Sequence, residues 1–350
     1  MQLKSIASAE LAGKNVLIRV DFNVELDDVA HVQEGFKLEV ARKTIDHAVS
    51  SNARSIALLT HFGRPDGASD PKYSTERLAL EVTRVLGRTI RFVPACRGAV
   101  AVAAVASAAN GEVLLLENVR FEPGETANDP AFAQDLATPF DVYINEAFGV
   151  SHRAHASVVG VTAFLPSFAG FHLTEETERL DAIRFNPARP AIAIIGGAKI
   201  ETKLPLIRAL EASYDCVLVG GKIANEAIDQ KIIFSEKVLL PQDFDSPARL
   251  DIGKTTASYY AAIIKKAKTV IWNGPMGKFE ERPYDFGTKM ILEAILESDA
   301  YVIIGGGESL AVLEQAGVMH RIGFVSSGGG AMLEYMAGHD LPGLQPLMVA

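Results

Sequence analysis

Residues 301–310 read YVIIGGGESL, an apolar run that passes straight into three glycines, a carboxylate and a hydroxyl. The same pattern of apolar run and glycine recurs as AIAIIGG (191–197), CVLVGG (216–221) and TVIWNG (269–274). The first half has its own series, NVLIRV (15–20), SIALLT (55–60), VLLLEN (113–118) and VYINEA (142–147), which ends in polar residues instead. Strands buried on both faces read as continuous apolar runs, and their alternation with helical segments predicts a parallel sheet covered on each side. The fold class is therefore α/β, two doubly wound parallel-sheet domains.

Between the two series lies FHLTEETERLDAIRFNPARP (171–190), a charged helical pattern closed by two prolines. It predicts a helix joining the domains. The expected boundaries are residues 1–170 for the first domain, 171–186 for the joining helix and 187–330 for the second domain.

The bulk numbers narrow the function. A chain of 350 residues exceeds what one compact core usually fills. The net charge of -9 argues against a general nucleic-acid binder, so any anion site must be a local basic cluster in an acidic protein. Cys96 and Cys216 are the only cysteines, too few for a disulfide framework or a cysteine-based zinc site, which fits a reducing compartment. The start, MQLKSIASAELAGKN, lacks the apolar run of a signal peptide, and no stretch approaches the roughly 18 apolar residues of a membrane span. A cytoplasmic protein without membrane or nucleic-acid partners is expected.

Ligands of open α/β sheets bind beyond the carboxyl ends of the strands, so the differing strand ends predict two different half-sites. For the glycine-rich half, a dinucleotide fingerprint fails because Leu310 stands where GGGESL needs its third glycine. DIGKTT (251–256) imitates the end of a Walker A loop, but position 248 is Ala and no apolar strand leads into it. A helix start explains it better.

IIGGAKIETK (194–203) is more informative. Two glycines after a strand let backbone approach a ligand, and the following helix is expected to offer free N–H groups to an anion. Lys199 and Lys203, four apart, are expected to share one helical face and meet one phosphate chain. Two solvated surface lysines are the plain alternative.

In the first half, RVDFN (19–23), THFGRP (60–65), ENVRF (117–121) and FGVSHRAHAS (148–157) each set polar groups at or just after a strand end. Arg64, Arg120 and Arg153 with His61 and His152 are expected to form a basic pocket that grips phosphate and carboxylate through paired hydrogen bonds. The spacing of His152 and His155 hints at a metal, but no third ligand lies near.

These segments, with WNGPMGKFE and SSGGGAMLE, follow one another along nearly the whole chain in the order of the phosphoglycerate kinase signatures, and the sequence resembles that family. The resemblance implies two α/β domains with a cleft and hinge closure, and a C-terminal tail, 331–350, returning to the first domain. It implies reversible phosphoryl transfer between 1,3-bisphosphoglycerate with ADP and 3-phosphoglycerate with ATP, in glycolysis and gluconeogenesis, by a monomer using ATP/ADP with Mg2+. By the same resemblance Asp21, Asn23, Lys37, His61, Arg64, Arg120 and Arg153 would hold the phosphoglycerate, with His152 beside them. Gly197, Lys199, Lys203, Gly221, Asn273, Glu280, Gly305, Gly306, Gly307, Glu308 and Ser309 would hold the nucleotide, Glu308 facing the metal. Lys199, Arg64 and the Gly306 N–H would act on the transferring phosphoryl group.

Four departures from the family pattern stand out. Glu308 and Ser309 replace its usual Asp and Thr, Lys37 falls where it has an arginine with Arg42 close by, and Lys222 replaces a glycine near the adenine. The segment between Gly221 and Asp251 is much shorter than in the family. A weak or inactive homologue that senses phosphorylated metabolites or nucleotide is therefore the second reading.

Overall fold

The eight apolar runs form the middle of two six-stranded parallel sheets. The computed structural model describes residues 2–26, 35–65 and 67–349. In the first sheet β1 (Asn15–Arg19), β2 (Ser55–Leu59), β3 (Ile90–Val93), β4 (Glu112–Leu116), β5 (Val142–Asn145) and β6 (Ser167–Ala169) are ordered β3-β4-β2-β1-β5-β6. In the second, β7 (Ala191–Ile195), β8 (Cys216–Val219), β9 (Val238–Leu239), β10 (Thr269–Asn273), β11 (Tyr301–Gly305) and β12 (Phe324–Ser326) are ordered β12-β11-β10-β7-β8-β9.

Side chains alternate between the two faces of a strand, and in the first sheet both faces are buried. Val16, Ile18, Ile56, Leu58, Val113, Leu115, Val142 and Ile144 enter one apolar cluster. Their neighbours Leu17, Ala57, Leu59, Leu114, Leu116 and Tyr143 enter another. Burial on both sides explains the unbroken apolar runs.

The chain divides into two compact units, Met1–Glu178 with Asp340–Ala350, and Arg179–His339. The division falls inside the helix Phe171–Phe185. The first residues of that helix are held by Glu146, whose carboxylate accepts from the His172 and Leu173 N–H groups, both at 3.1 Å. The helix Gly329–Met336 belongs to the second unit, and the chain returns to the first at Asp340. There Lys4 N–H donates to the Leu347 carbonyl at 2.7 Å, and buried Asn145 donates to the Gly343 carbonyl at 3.3 Å.

Each sheet has a point where the strand order turns back. In the first it is the β1/β5 pair and in the second the β7/β10 pair, because successive strands leave in opposite directions from there. Loops diverge at such points and leave a crevice at the carboxyl ends. Among the described residues, no helix is long and apolar enough to cross a membrane.

Candidate active site

In the first unit, β1 ends in Arg19, whose side chain is almost completely buried. Its Nε donates to Ser157 Oγ at 2.9 Å, another guanidinium nitrogen donates to the Val20 carbonyl, and the third lies 3.4 Å from His61 Nδ1. Ser157 is itself anchored by fully buried Glu125, which accepts from the Ser157 N–H at 2.8 Å and hydroxyl at 2.7 Å. Burial pushes the Glu125 carboxyl up, yet His155, Arg19 and the Ser157 bonds outweigh it and hold the group below its usual value. A buried guanidinium is tolerable only with such partners.

His61 lies at the centre of a set of cations. Burial, followed by Arg19, Arg120, Arg153 and Lys37, drives its imidazole well below the usual histidine range. His61 is therefore neutral, and its Nδ1 faces the Arg19 guanidinium as acceptor. Asp21 Oδ1 lies 3.9 Å from His61 Nδ1 and is a buried atom without a hydrogen-bond partner.

Arg120 is buried too, one nitrogen donating to the Gly63 carbonyl at 3.0 Å while its Nε has no partner. Burial, then Arg153 and Arg19, lower it to about 10, partly offset by Glu125 and Asp21. Concentrating cations at this cost is what an anion site does, because a bound phosphate or carboxylate relieves the repulsion.

Loop geometry builds the set. Fully buried Asn118 accepts from the Arg120 N–H at 3.0 Å and donates to the carbonyls of Phe62 at 2.7 Å and Tyr73 at 2.8 Å. It thereby holds the loop after β2 against the loop after β4. Asn23 Oδ1 accepts from the Gly63 N–H at 2.8 Å, and Lys37 Nζ donates to the Asn23 carbonyl at 3.2 Å. Arg153 Nε donates to His152 Nε2 at 3.1 Å, and Arg64 is exposed.

Lys37, not Arg42, joins the cluster. Arg42 pairs with Glu39 at 2.7 Å and donates to the Leu86 carbonyl at 3.0 Å, so its fork is spent on a helix end. Arg19, Asn118, Glu125 and Ser157 were not among the residues singled out from the sequence. The available signal was an arginine closing an otherwise apolar strand.

In the second unit the backbones at the β7/β10 crevice touch. Gly196 N–H donates to the Asn273 carbonyl at 2.8 Å and Gly197 N–H to the Pro275 carbonyl at 3.2 Å. A Cβ on Gly196 would run into Pro275, and one on Gly221 would lie 2.9 Å from Gly197 N while φ there is +63°. Glycine is required for that approach.

Two cavities open here. The smaller, about 230 Å³, is lined by Lys203, Asn273, Gly274, Gly306, Gly307, Glu308, Ser309, Gly329 and Gly330. The helices Gly307–Ala316 and Gly329–Met336 both start on it, so two sets of unpaired N–H groups converge, an arrangement suited to phosphate. Asn273 donates to the Gly305 carbonyl at 2.7 Å and accepts from Lys203, while Ser309 Oγ accepts from the Gly274 N–H at 2.8 Å.

Burial lowers Lys203 to about 8, with Glu308 pulling the other way. Burial, then Glu280, raise Glu308 above its usual value, with Lys203 opposing. The larger cavity, about 700 Å³, has Gly197, Ala198 and Gly221 in its lining, with Leu250 and Pro275 as walls and Lys222, Lys278 and Glu280 among its charged members. Glu308 lines both cavities, at their junction.

One expectation about IIGGAKIETK is corrected. The helix begins at Ile200, so Lys199 precedes it in extended conformation, exposed, and does not share a helical face with Lys203. The Ile200 N–H is already taken by Glu226 at 2.8 Å, and the two glycine-led helices start on the smaller cavity. DIGKTT opens the helix Lys254–Ile264, and Asp243 accepts its Thr255 and Thr256 N–H groups at 3.0 and 2.7 Å, leaving no phosphate cradle there. Among the described residues, no group of three His, Cys, Asp or Glu side chains is placed to hold a metal ion.

A cation-lined anion site on one sheet, and on another a glycine-bounded phosphate cradle opening into a nucleoside-sized cavity, define a phosphotransferase of the α/β class. The family model described as phosphoglycerate kinase matches residues 6–244 and 228–339. The phosphoglycerate kinase of Moorella thermoacetica is 40% identical over 388 aligned positions, covering 98% of each chain, and that of Chloroflexus aurantiacus 38% over 400, covering all of both. Among solved structures, phosphoglycerate kinase from Pyrococcus horikoshii superposes with a TM-score of 0.88 at 28% identity, and that from Coxiella burnetii with 0.80 at 29%, each over 99% of this chain and 98% of the other. The chain belongs to the phosphoglycerate kinase family.

Alignments longer than 350 positions mean that these relatives carry residues this chain lacks. The family match breaks in two across 228–244, inside the segment read as short.

Proposed function

We propose that the chain transfers a phosphoryl group reversibly between ATP and the carboxylate of 3-phosphoglycerate, forming 1,3-bisphosphoglycerate and ADP. Family membership supports the reaction. The observation that carries the residue roles is the gathering of Arg19, Arg120, Arg153 and Lys37 around a neutral His61.

Asp21, Asn23, Lys37, His61, Arg64, Arg120, His152 and Arg153 hold the phosphoglycerate on this reading. Arginine forks take its phosphate and carboxylate, and the unpartnered Asp21 carboxylate oxygen accepts its hydroxyl. The nucleoside lies in the larger cavity over Gly197, Gly221 and Glu280, and the phosphates lie in the smaller one against Lys203, Asn273, Gly305, Gly306, Gly307 and Ser309.

The acceptor is already a carboxylate, so no general base is needed. Catalysis rests on alignment and on neutralising the moving group, the role assigned to Lys199, Arg64 and the Gly306 N–H. Glu308 fits a magnesium ion carried with the nucleotide, because its burial beside Glu280 leaves a carboxylate that a cation would relieve. The ion would shield charge on the phosphates. A cytoplasmic monomer is the state in which we expect it to work.

The test is ATP-dependent formation of the acyl phosphate, followed by coupled reduction with glyceraldehyde-3-phosphate dehydrogenase. Turnover that disappears in Lys199→Ala and Arg64→Ala is expected. A folded protein without turnover on ATP or other nucleoside triphosphates would overturn the reading and leave a metabolite-binding homologue in its place.

A further inference from the structure

One ion pair in the lining of the larger cavity has no part in the mechanism above. Arg249 donates through both terminal nitrogens to the two oxygens of Asp229, at 3.0 and 2.6 Å. The Arg249 backbone is left-handed, with φ at +53°. Its N–H donates to the Ser246 carbonyl at 3.0 Å, its own carbonyl accepts from Asn225 Nδ2 at 2.9 Å, and its guanidinium lies 5.7 Å from the Phe244 ring centre.

Asn225 and Asp229 belong to the helix Gly221–Asp229, whose first residue lines the cavity. Asn225, Asp229 and Arg249 themselves line the cavity, and Ala248 and Leu250, on either side of Arg249, continue its wall. The pair therefore ties the far end of that helix to the segment that closes the cavity. The family match breaks across 228–244, just before this segment.

We propose that Asp229–Arg249 is a positioning clamp for the nucleoside end of the nucleotide, holding residues 246–250 as the surface against which the base packs. The inference rests on the phosphotransferase reading for the identity of the ligand. An ion pair this exposed contributes little to global stability. Its effect is local. Without it, a strained residue and its loop lose their fixed position, and the ligand must order them on binding. The loss then falls on nucleotide affinity rather than on the chemical step or on the other substrate.

The experiment is calorimetric titration of ADP and of 3-phosphoglycerate into the unsubstituted protein, Arg249→Ala, Asp229→Asn, Arg249→Lys and the exchanged pair Asp229→Arg with Arg249→Asp. Arg249→Ala and Asp229→Asn should each weaken ADP about five- to tenfold, with 3-phosphoglycerate held within about twofold. Arg249→Lys should fall between, since an ammonium cannot make the fork, and the exchanged pair should regain part of the loss.

Unchanged ADP affinity in both single variants overturns the clamp. So does an equal loss of both ligands, which would mark general unfolding. Because binding is measured without turnover, an inactive protein whose ADP affinity follows the clamp sinks the catalytic reading alone. An active enzyme with clamp-insensitive ADP binding sinks the clamp alone, and a protein that binds no ADP sinks both.

Discussion

Lys203 is a cation that burial has brought to the edge of losing its proton. With its ammonium lowered to about 8, the charge is present below that pH and is lost as pH rises through it. If Lys203 grips the nucleotide phosphates, KM for ATP should stay level to about pH 7.5 and climb above about pH 8.5. Lys203→Arg should flatten that climb, because guanidinium does not titrate there. Profiles of KM against pH for both proteins check it, and parallel curves would assign the titration to another group. Arg120 allows a test on the other substrate. Arg120→Lys keeps a charge but loses the fork and the bond to Gly63, so KM for 3-phosphoglycerate should rise at least about tenfold while KM for ATP holds. A rise in both would mean that the loop, and not the ligand, was held by Arg120.

Legibility at the scale of elements depended on position in the sheet. The eight runs read from sequence are the four inner strands of each sheet, where both faces are covered and apolar residues run on without a break. β3, β6, β9 and β12 were not read, and all four are edge strands, short and with partly exposed members. An edge strand has less to bury, so its composition carries less signal. A helix start was legible at DIGKTT, but not the group that caps it. The helix Lys254–Ile264 has Gly253 at its N-cap, which has no side chain to cap with, and the cap comes from Asp243 in the preceding loop. Asp243→Ala should therefore cost about 1 to 2 kcal/mol in urea unfolding of the second unit. A change below about 0.3 kcal/mol would mean that water replaces the cap.

At the scale of the whole molecule, the chain leaves the first unit, builds the second and returns to finish the first. Leu341, Leu344 and Leu347 are fully buried there, and each such leucine is worth roughly 1.5 to 3 kcal/mol. Removing residues 340–350 should thus destabilise the first unit by more than about 4 kcal/mol and affect the second far less. Hydrogen exchange would show it as faster exchange of β1 and β5 amides with β7 and β10 amides still protected. Equal loss in both sheets would refute a unit-specific role for the tail.

The amino-acid sequence by itself determined the α/β class, the inner strands, the ordered motifs of the family and most of the charged residues at the strand ends. Those features are local: an apolar run needs burial wherever it sits, and a glycine pair marks a close approach before the partner is known. Only the tertiary structure decided that Lys37 rather than Arg42 faces His61, that Lys199 stands before its helix while Lys203 is buried against Asn273, and that Arg19 is held by Ser157 and Glu125. Each of these depends on residues far apart in the chain meeting in space, and on how much water they lose when they meet. Neither is written in the spacing of one segment.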